Sequence, residues 1–235
     1  MDKTIFYAPQ ILINPELPHE EAIHCVKVLR KREGDKILVT DGKGHFFDAL
    51  ILQANPKHCV VDIINSMDYS NNRDFFIQIA FAPTKNLDRI EWFAEKATEI
   101  GIDKFTPLLC RYSERKEIKI PRIEKILVSA MKQSQKAVLP QLEEMQPFSS
   151  FIKKPFDGKK FIAHCYDGKG VSLLKNVYGK GENALVLIGP EGDFSETEVE
   201  EASRNGFTPI SLGDSRLRTE TAALVACHTI HILNQ

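Results

Sequence analysis

The chain has 235 residues, 43% of them hydrophobic and 27% charged, with a formal net charge of -1. That is ordinary globular composition, and the length suits one large domain or two unequal ones with a sizeable core. No apolar run reaches the ~18 residues of a membrane span, and the opening MDKTIFYAPQ lacks the charged-then-apolar pattern of a signal peptide, so a cytoplasmic protein with no membrane partner is expected.

TIFYA (4–8), KILVTD (36–41), HFFDALILQA (45–54) and HCVVDIIN (58–65) are strand-like runs rich in β-branched and aromatic residues. Asp41-Gly42 and Asn55-Pro56 mark turns between them. PHEEAIHCVKVLR places Ala22, Ile23, Val26 and Leu29 at helical spacing. Residues 1–70 therefore read as a small β-rich, barrel-like domain, followed by the polar linker DYSNNRD (68–74).

Over residues 71–235 the pattern changes to alternating strands and helices. FFIQIAFA is a buried strand, and PTKN leads into a helix with Leu87, Ile90, Phe93, Ala94, Ala97 and Ile100 on one face. Gly101 suits the C′ position of that helix, and DKFTPLLC follows as a strand. PRIEKILVSAMKQSQK (121–136) is the next helix, with Pro121 in its first turn and Ile123, Ile126, Leu127 and Ala130 as its buried stripe. KKFIAHCY, ALVLI and TPISL are later strands. The alternation implies an α/β fold with a mostly parallel sheet covered by helices.

Charge is unevenly spread. Residues 104–136 hold nine Lys or Arg against three Glu, a net of +6, whereas 182–220 hold nine acids against three Arg, a net of -6. The basic stretch could meet phosphates, although a solvated face explains it equally. The five cysteines are scattered without a CxxC, so neither a zinc site nor a redox pair is expected.

In open α/β sheets, ligands bind beyond the carboxyl ends of strands. Three such ends fall in the last third of the chain: HCYDG (164–168), GPEGD (189–193) and GDSRLRTET (213–221). After the second, Ser195 and Glu198 form a capping box that starts a helix near Glu196, and Asn205-Gly206 ends it. Residues 189–194 are then a short turn whose glycines let a ligand approach the backbone. The turn is neither a P-loop nor a GxGxxG, and Glu191 and Asp193 would repel a pyrophosphate. A cationic centre or an adenine edge suits it better. A tight turn whose acids favour the helix N-terminus is the plain structural alternative. The third end carries Gly213, Arg216 and Arg218, then Thr219 at the expected N-cap of an apolar helix.

LIGPEG, followed after a helix and a strand by LG…LRTETA, resembles the ribosomal RNA small subunit methyltransferase E family of the SPOUT superfamily. HCVKVLRKREGD (24–35), EKATEIGI (95–102), SERK (113–116) and Gln133-Ser134 also fall where that family's motifs lie. Three positions depart from the pattern: Asp193 stands where the family carries Gly, Ser215 where it carries Arg, and Lys132 where it often carries an acid.

The resemblance implies S-adenosylmethionine as methyl donor, no metal, and methylation at N3 of a uridine in 16S rRNA of the small ribosomal subunit. It implies a PUA-like β-barrel over 1–70, a C-terminal trefoil knot within 71–235, and a homodimer through the last helix. The donor would be held by His164 of the first turn. The second turn would add Leu187, Ile188, Gly189, Pro190, Glu191 and Gly192, and the third Leu212, Gly213, Leu217, Arg218 and Thr219. Arg218 would stabilise charge on the uracil carbonyls, with Glu220 helping to orient it. Water, Glu220 and a phosphate oxygen all remain open as acceptor of the N3 proton. Arg30, Lys85, Arg115, Lys132 and Lys136 are the candidate RNA contacts. A ribose 2′-O-methyltransferase and a non-catalytic RNA binder are the rival readings.

Overall fold

The computed structural model describes residues 4–70, 73–166 and 171–235. Asn71 and Asn72 of the expected linker, and Asp167 and Gly168 of the first candidate turn, lie outside the described residues. The chain divides into two compact units. One holds the N-terminal strands together with Val128–Leu139, and the other holds Arg73–Leu127 and Pro140–Gln235.

In the first unit, β1 (Ile5–Tyr7), β2 (Lys36–Thr40), β3 (His45–Ala54) and β4 (Cys59–Asp68) form a sheet in that order. β1 runs parallel to β2, and the other pairs are antiparallel. Strand alternation turns Phe6, Val39, Phe47, Ile51 and Val61 into one core. The outer edge of β4 is covered by residues 15–17, where Leu17 N donates to Cys59 O at 2.9 Å and Val61 N to Pro15 O at 2.9 Å. The expected helix forms as α1 (His19–Ile23), then widens into a π-helical turn over His24–Val28. Arg30 leaves that turn in the left-handed conformation at φ 54°. Residues 137–139 return to this unit: Gly44 N donates to Ala137 O at 3.0 Å, and Leu139 N to Gly42 O at 2.8 Å.

The second unit adds β5 (Ile77–Phe81), β6 (Lys104–Leu109), β7 (Gln141–Leu142), β8 (Gln146–Pro147), β9 (Lys159–Ala163), β10 (Ser172–Leu173), β11 (Ala184–Ile188) and β12 (Thr208–Ser211). They form one sheet in the order β10-β12-β9-β11-β5-β6-β7, with β8 also on β6, and every pairing is parallel. The unit's helices are α2 (Leu87–Ile100), α4 (Phe148–Phe151), α5 (Leu174–Val177), α6 (Glu196–Arg204) and α7 (Thr219–Leu233), while α3 (Ile120–Gln133) starts in this unit and its residues from Val128 on belong to the first. Every residue of β5 and β11 is buried, as expected for parallel strands covered on both faces.

α2 starts at the Asn86 side chain, which accepts from Asp88 N at 3.0 Å, and stops at Gly101, whose φ of 119° is left-handed. α3 stops at Gln133, three residues before the periodic stretch does, because Gln135 turns left-handed at φ 54° and Lys136 N reaches back to Met131 O at 3.0 Å. α7 packs on α2, β5 and β11.

Phe93 of α2 is fully buried between Phe81 and Phe105, with edge-to-face ring contacts at 5.3 and 5.4 Å. Phe93→Ala is expected to destabilise the protein by about 3–5 kcal/mol in chemical denaturation. A loss below ~1 kcal/mol would contradict this packing.

Candidate functional site

β12, β9 and β11 are consecutive neighbours in the second unit, and all three are parallel. Their carboxyl ends therefore lie side by side on one edge of the sheet. The turns that leave them begin at His164, Gly189 and Leu212, the three turns singled out by the sequence.

The middle turn is fastened to its neighbours on both sides. Towards β5, a Glu191 carboxylate oxygen accepts from Lys85 N at 3.0 Å. Towards β9, an Asp193 oxygen accepts from Cys165 N at 2.8 Å, and the Tyr166 hydroxyl donates to Phe194 O at 2.7 Å. From the start of α7, the Thr219 hydroxyl donates to Gly189 O at 3.0 Å, a buried bond. Ser195 and Glu198 form the expected capping box, which fixes where the turn becomes α6. Gly189 needs its bare Cα, since a Cβ there would come within 3.0 Å of Phe194 N. Gly213 is left-handed at φ 129° and faces open space.

Thr219 is the first residue of α7 rather than its cap. Arg218 holds the N-cap position with an extended backbone and no side-chain cap bond. The reason lies in the packing: the Thr219 hydroxyl is committed to Gly189 and cannot also satisfy its own helix. Leu187 and Ile188 end β11 and are buried, as are Gly189 and Pro190, whereas Glu191 and Gly192 are exposed. Leu212 and Leu217 are half-buried, and Arg218 is exposed. Glu220 is buried, and Arg89 of α2 lies 3.8 Å from one of its oxygens. The other oxygen, Oε2, is buried without a hydrogen-bond partner.

A buried carboxylate oxygen that lacks a donor is costly unless something supplies one. Acidic side chains are fastened around the middle turn, and backbone groups line it. Such a set suits a ligand with a positive centre and N–H donors, and it does not suit a polyphosphate. Among the described residues, no group of three or more His, Cys, Asp or Glu is placed to hold a metal ion, and no helix is long and apolar enough to cross a membrane.

The candidate RNA contacts separate. Lys85 and Arg115 lie in the second unit, and Arg30, Lys132 and Lys136 in the first. Lys85 is exposed and pairs with Glu114 at 3.1 Å. Arg115 is turned inward, its guanidinium donating to Thr84 O at 3.1 Å and Lys85 O at 2.5 Å, so it braces the turn after β5. Lys132 is paired with Glu21, and Arg30 is exposed. A depression of about 460 Å³ opens beside Lys85, lined by Glu114, Arg115, Lys116 and Glu117. Lys116 belongs to the SERK segment but was not singled out, because a lysine in a charged run carries no signal of its own. Arg89 was missed because its partner Glu220 lies far along the chain.

The RNA methyltransferase domain family matches residues 71–231, and the RNA methyltransferase PUA domain matches residues 17–64. Among curated relatives, the ribosomal RNA small subunit methyltransferase E of Bacillus subtilis is 29% identical over 226 residues, covering 90% of this chain and 87% of that protein. Among solved structures, one described as a probable rRNA-methyltransferase from Porphyromonas gingivalis is 45% identical, with a TM-score of 0.93 and 98% of each chain covered. A second, from Legionella pneumophila, is described as a methyltransferase with bound cofactor SAM. It is 27% identical, with a TM-score of 0.86, and covers 99% of this chain and 98% of its own.

His164 sits half-buried at the seam of the first two turns, with its Nδ1 accepting from Tyr166 N at 3.2 Å. Burial pushes its imidazole below the ordinary 6.5, while the nearby Asp193 charge pulls the other way. The folded state thus favours neutral His164, and its contribution to stability is present above pH 6.5 and lost as pH falls through the lowered value. In NMR titration, His164 is expected to show a midpoint below 6.5, and Asp193→Asn should lower it further. A midpoint at or above 6.5 would contradict this environment.

Proposed function

The chain belongs to the RNA methyltransferase family, with a PUA domain ahead of the methyltransferase domain, and we propose that it methylates N3 of a uridine in 16S rRNA with S-adenosylmethionine as donor. The observation that carries this is the fastening of three adjacent strand ends around the Gly189–Phe194 turn. The Legionella pneumophila neighbour that holds SAM and the curated relatives named for the small subunit rRNA support it.

S-adenosylmethionine, when bound, supplies a methyl group on a cationic sulfur. The backbones of Leu187, Gly189, Leu212 and Leu217 would hold its adenine and methionine parts, and the acids of the middle turn suit its positive charge. Arg218, exposed at the N-cap of α7, would stabilise negative charge on the uracil carbonyls. Most of the rate enhancement comes from positioning. Pairing and stacking hide N3 of a uridine within a helix, so a target in such a helix would be extruded. Phosphates are met by basic residues of each unit: Lys85, Arg115 and Lys116 around the depression in the second, and Arg30, Lys132 and Lys136 in the first.

The chain leaves β12, passes β9 and returns to β11 at Thr219, the path on which we place the trefoil knot. We assign the homodimer contact to α7 and its neighbour α2, which expose the apolar residues Ile232 and Trp92 respectively. With small-subunit rRNA as the proposed substrate, we assign the protein to the cytoplasm.

In 16S rRNA from a strain lacking the gene, nuclease digestion and mass spectrometry should show the loss of one base-methylated uridine. The wild-type gene should restore it. Arg218→Ala should lower turnover about 100-fold with little change in donor affinity. A missing ribose methyl group instead, or near-normal turnover of Arg218→Ala, would contradict the assignment. Lys116→Ala should weaken RNA binding roughly 3- to 10-fold and reduce the salt slope by about one, with donor affinity unchanged. An unaltered slope in anisotropy titrations would remove Lys116 from the phosphate contacts.

A further inference from the structure

Asp193 adopts φ 65°, one of three non-glycine residues with positive φ among the described residues. Glycine would take that conformation without strain, and Asp is among the few other residues that tolerate it. The side chain is held at both ends. One oxygen accepts from its own neighbour, Phe194 N, at 2.7 Å, and the other from Cys165 N of the adjoining turn at 2.8 Å. The carboxylate is therefore a fixed charge at the seam between the turns after β9 and β11.

Among the described residues, the groups flanking that seam do not offset it from the interior. His164 is kept neutral by burial, and the Cys165 thiol is pushed up, first by burial and then by Asp193, so it stays protonated. Among the described residues, the cation that reaches Cys165 is Arg216 of the third turn, which is solvent-exposed and screened.

Resting on the donor site proposed above, we infer that Asp193 is a specificity-determining residue that favours S-adenosylmethionine over its product, S-adenosylhomocysteine. The two ligands differ by one methyl group and one positive charge. A fixed carboxylate at the seam attracts the sulfonium and has no such hold on the neutral thioether. The site would thus bind the donor and release the spent product through the same residue. A residue that merely braced the two turns would affect both ligands alike.

Calorimetric titration of the full chain with each ligand separates these effects. In Asp193→Asn, which keeps the shape and one acceptor oxygen, affinity for S-adenosylmethionine should fall roughly 3- to 10-fold, and that for S-adenosylhomocysteine should stay within about 2-fold. Asp193→Gly, which suits the left-handed backbone, should also shift the ratio of the two affinities towards the product. Equal weakening of both ligands in Asp193→Asn, or no change in either, would overturn the inference while leaving the methyl-transfer assignment intact. If wild-type protein bound neither ligand, both would fall.

Discussion

The side-by-side placement of β12, β9 and β11 is the constraint on which everything else in the second unit depends. β11 and β12 follow one another along the chain with the earlier β9 between them in the sheet, and all three point the same way. Parallel pairing puts their carboxyl ends on one edge, and the Thr219–Gly189 bond ties the last of the three turns to the middle one. Reversing any one strand would send its turn to the opposite edge of the sheet. The chemistry thus follows from topology first and from side-chain identity second.

The fastening of the middle turn also explains its composition. Gly-Pro-Glu-Gly-Asp would be a poor phosphate loop, because its acids would oppose the ligand. Here Glu191 accepts from the turn after β5 and Asp193 from the turn after β9, so both acids act as ties as well as charges. Gly189 leaves room for the backbone of Phe194 to pass close by. The Oε2 atom of Glu220 is buried without a hydrogen-bond partner, and it sits at the start of the helix that follows the third turn. Unsatisfied buried groups tend to mark working sites rather than packing sites.

Much of this was legible in the sequence because the signals were local. The strands β2, β3, β9, β11 and β12 follow from apolar runs bounded by turn residues, and the ends of α2 and α6 from Gly101 and the Ser195–Glu198 box. What stayed hidden was non-local. Residues 128–139 look like the tail of a charged helix, and nothing local marks their return to the N-terminal unit through Ala137 and Leu139. The two-residue strands β7, β8 and β10 are too short to leave a pattern. Thr219 looks like an N-cap by residue type, but a tertiary contact claims its hydroxyl. Arg115 looks like a wholly free cation, yet two of its guanidinium nitrogens donate to the backbone of residues 84 and 85. In each case a contact distant in sequence overrode a local preference.

Amide hydrogen exchange on the full chain, with and without S-adenosylmethionine, tests most directly whether the three turns form one donor site. The expected result is slower exchange together at His164–Tyr166, Gly189–Phe194 and Leu212–Thr219, with the strands beneath them already protected in both states. Exchange that is unchanged at all three turns, or slowed only at residues remote from them, would contradict a single pocket built on β9, β11 and β12.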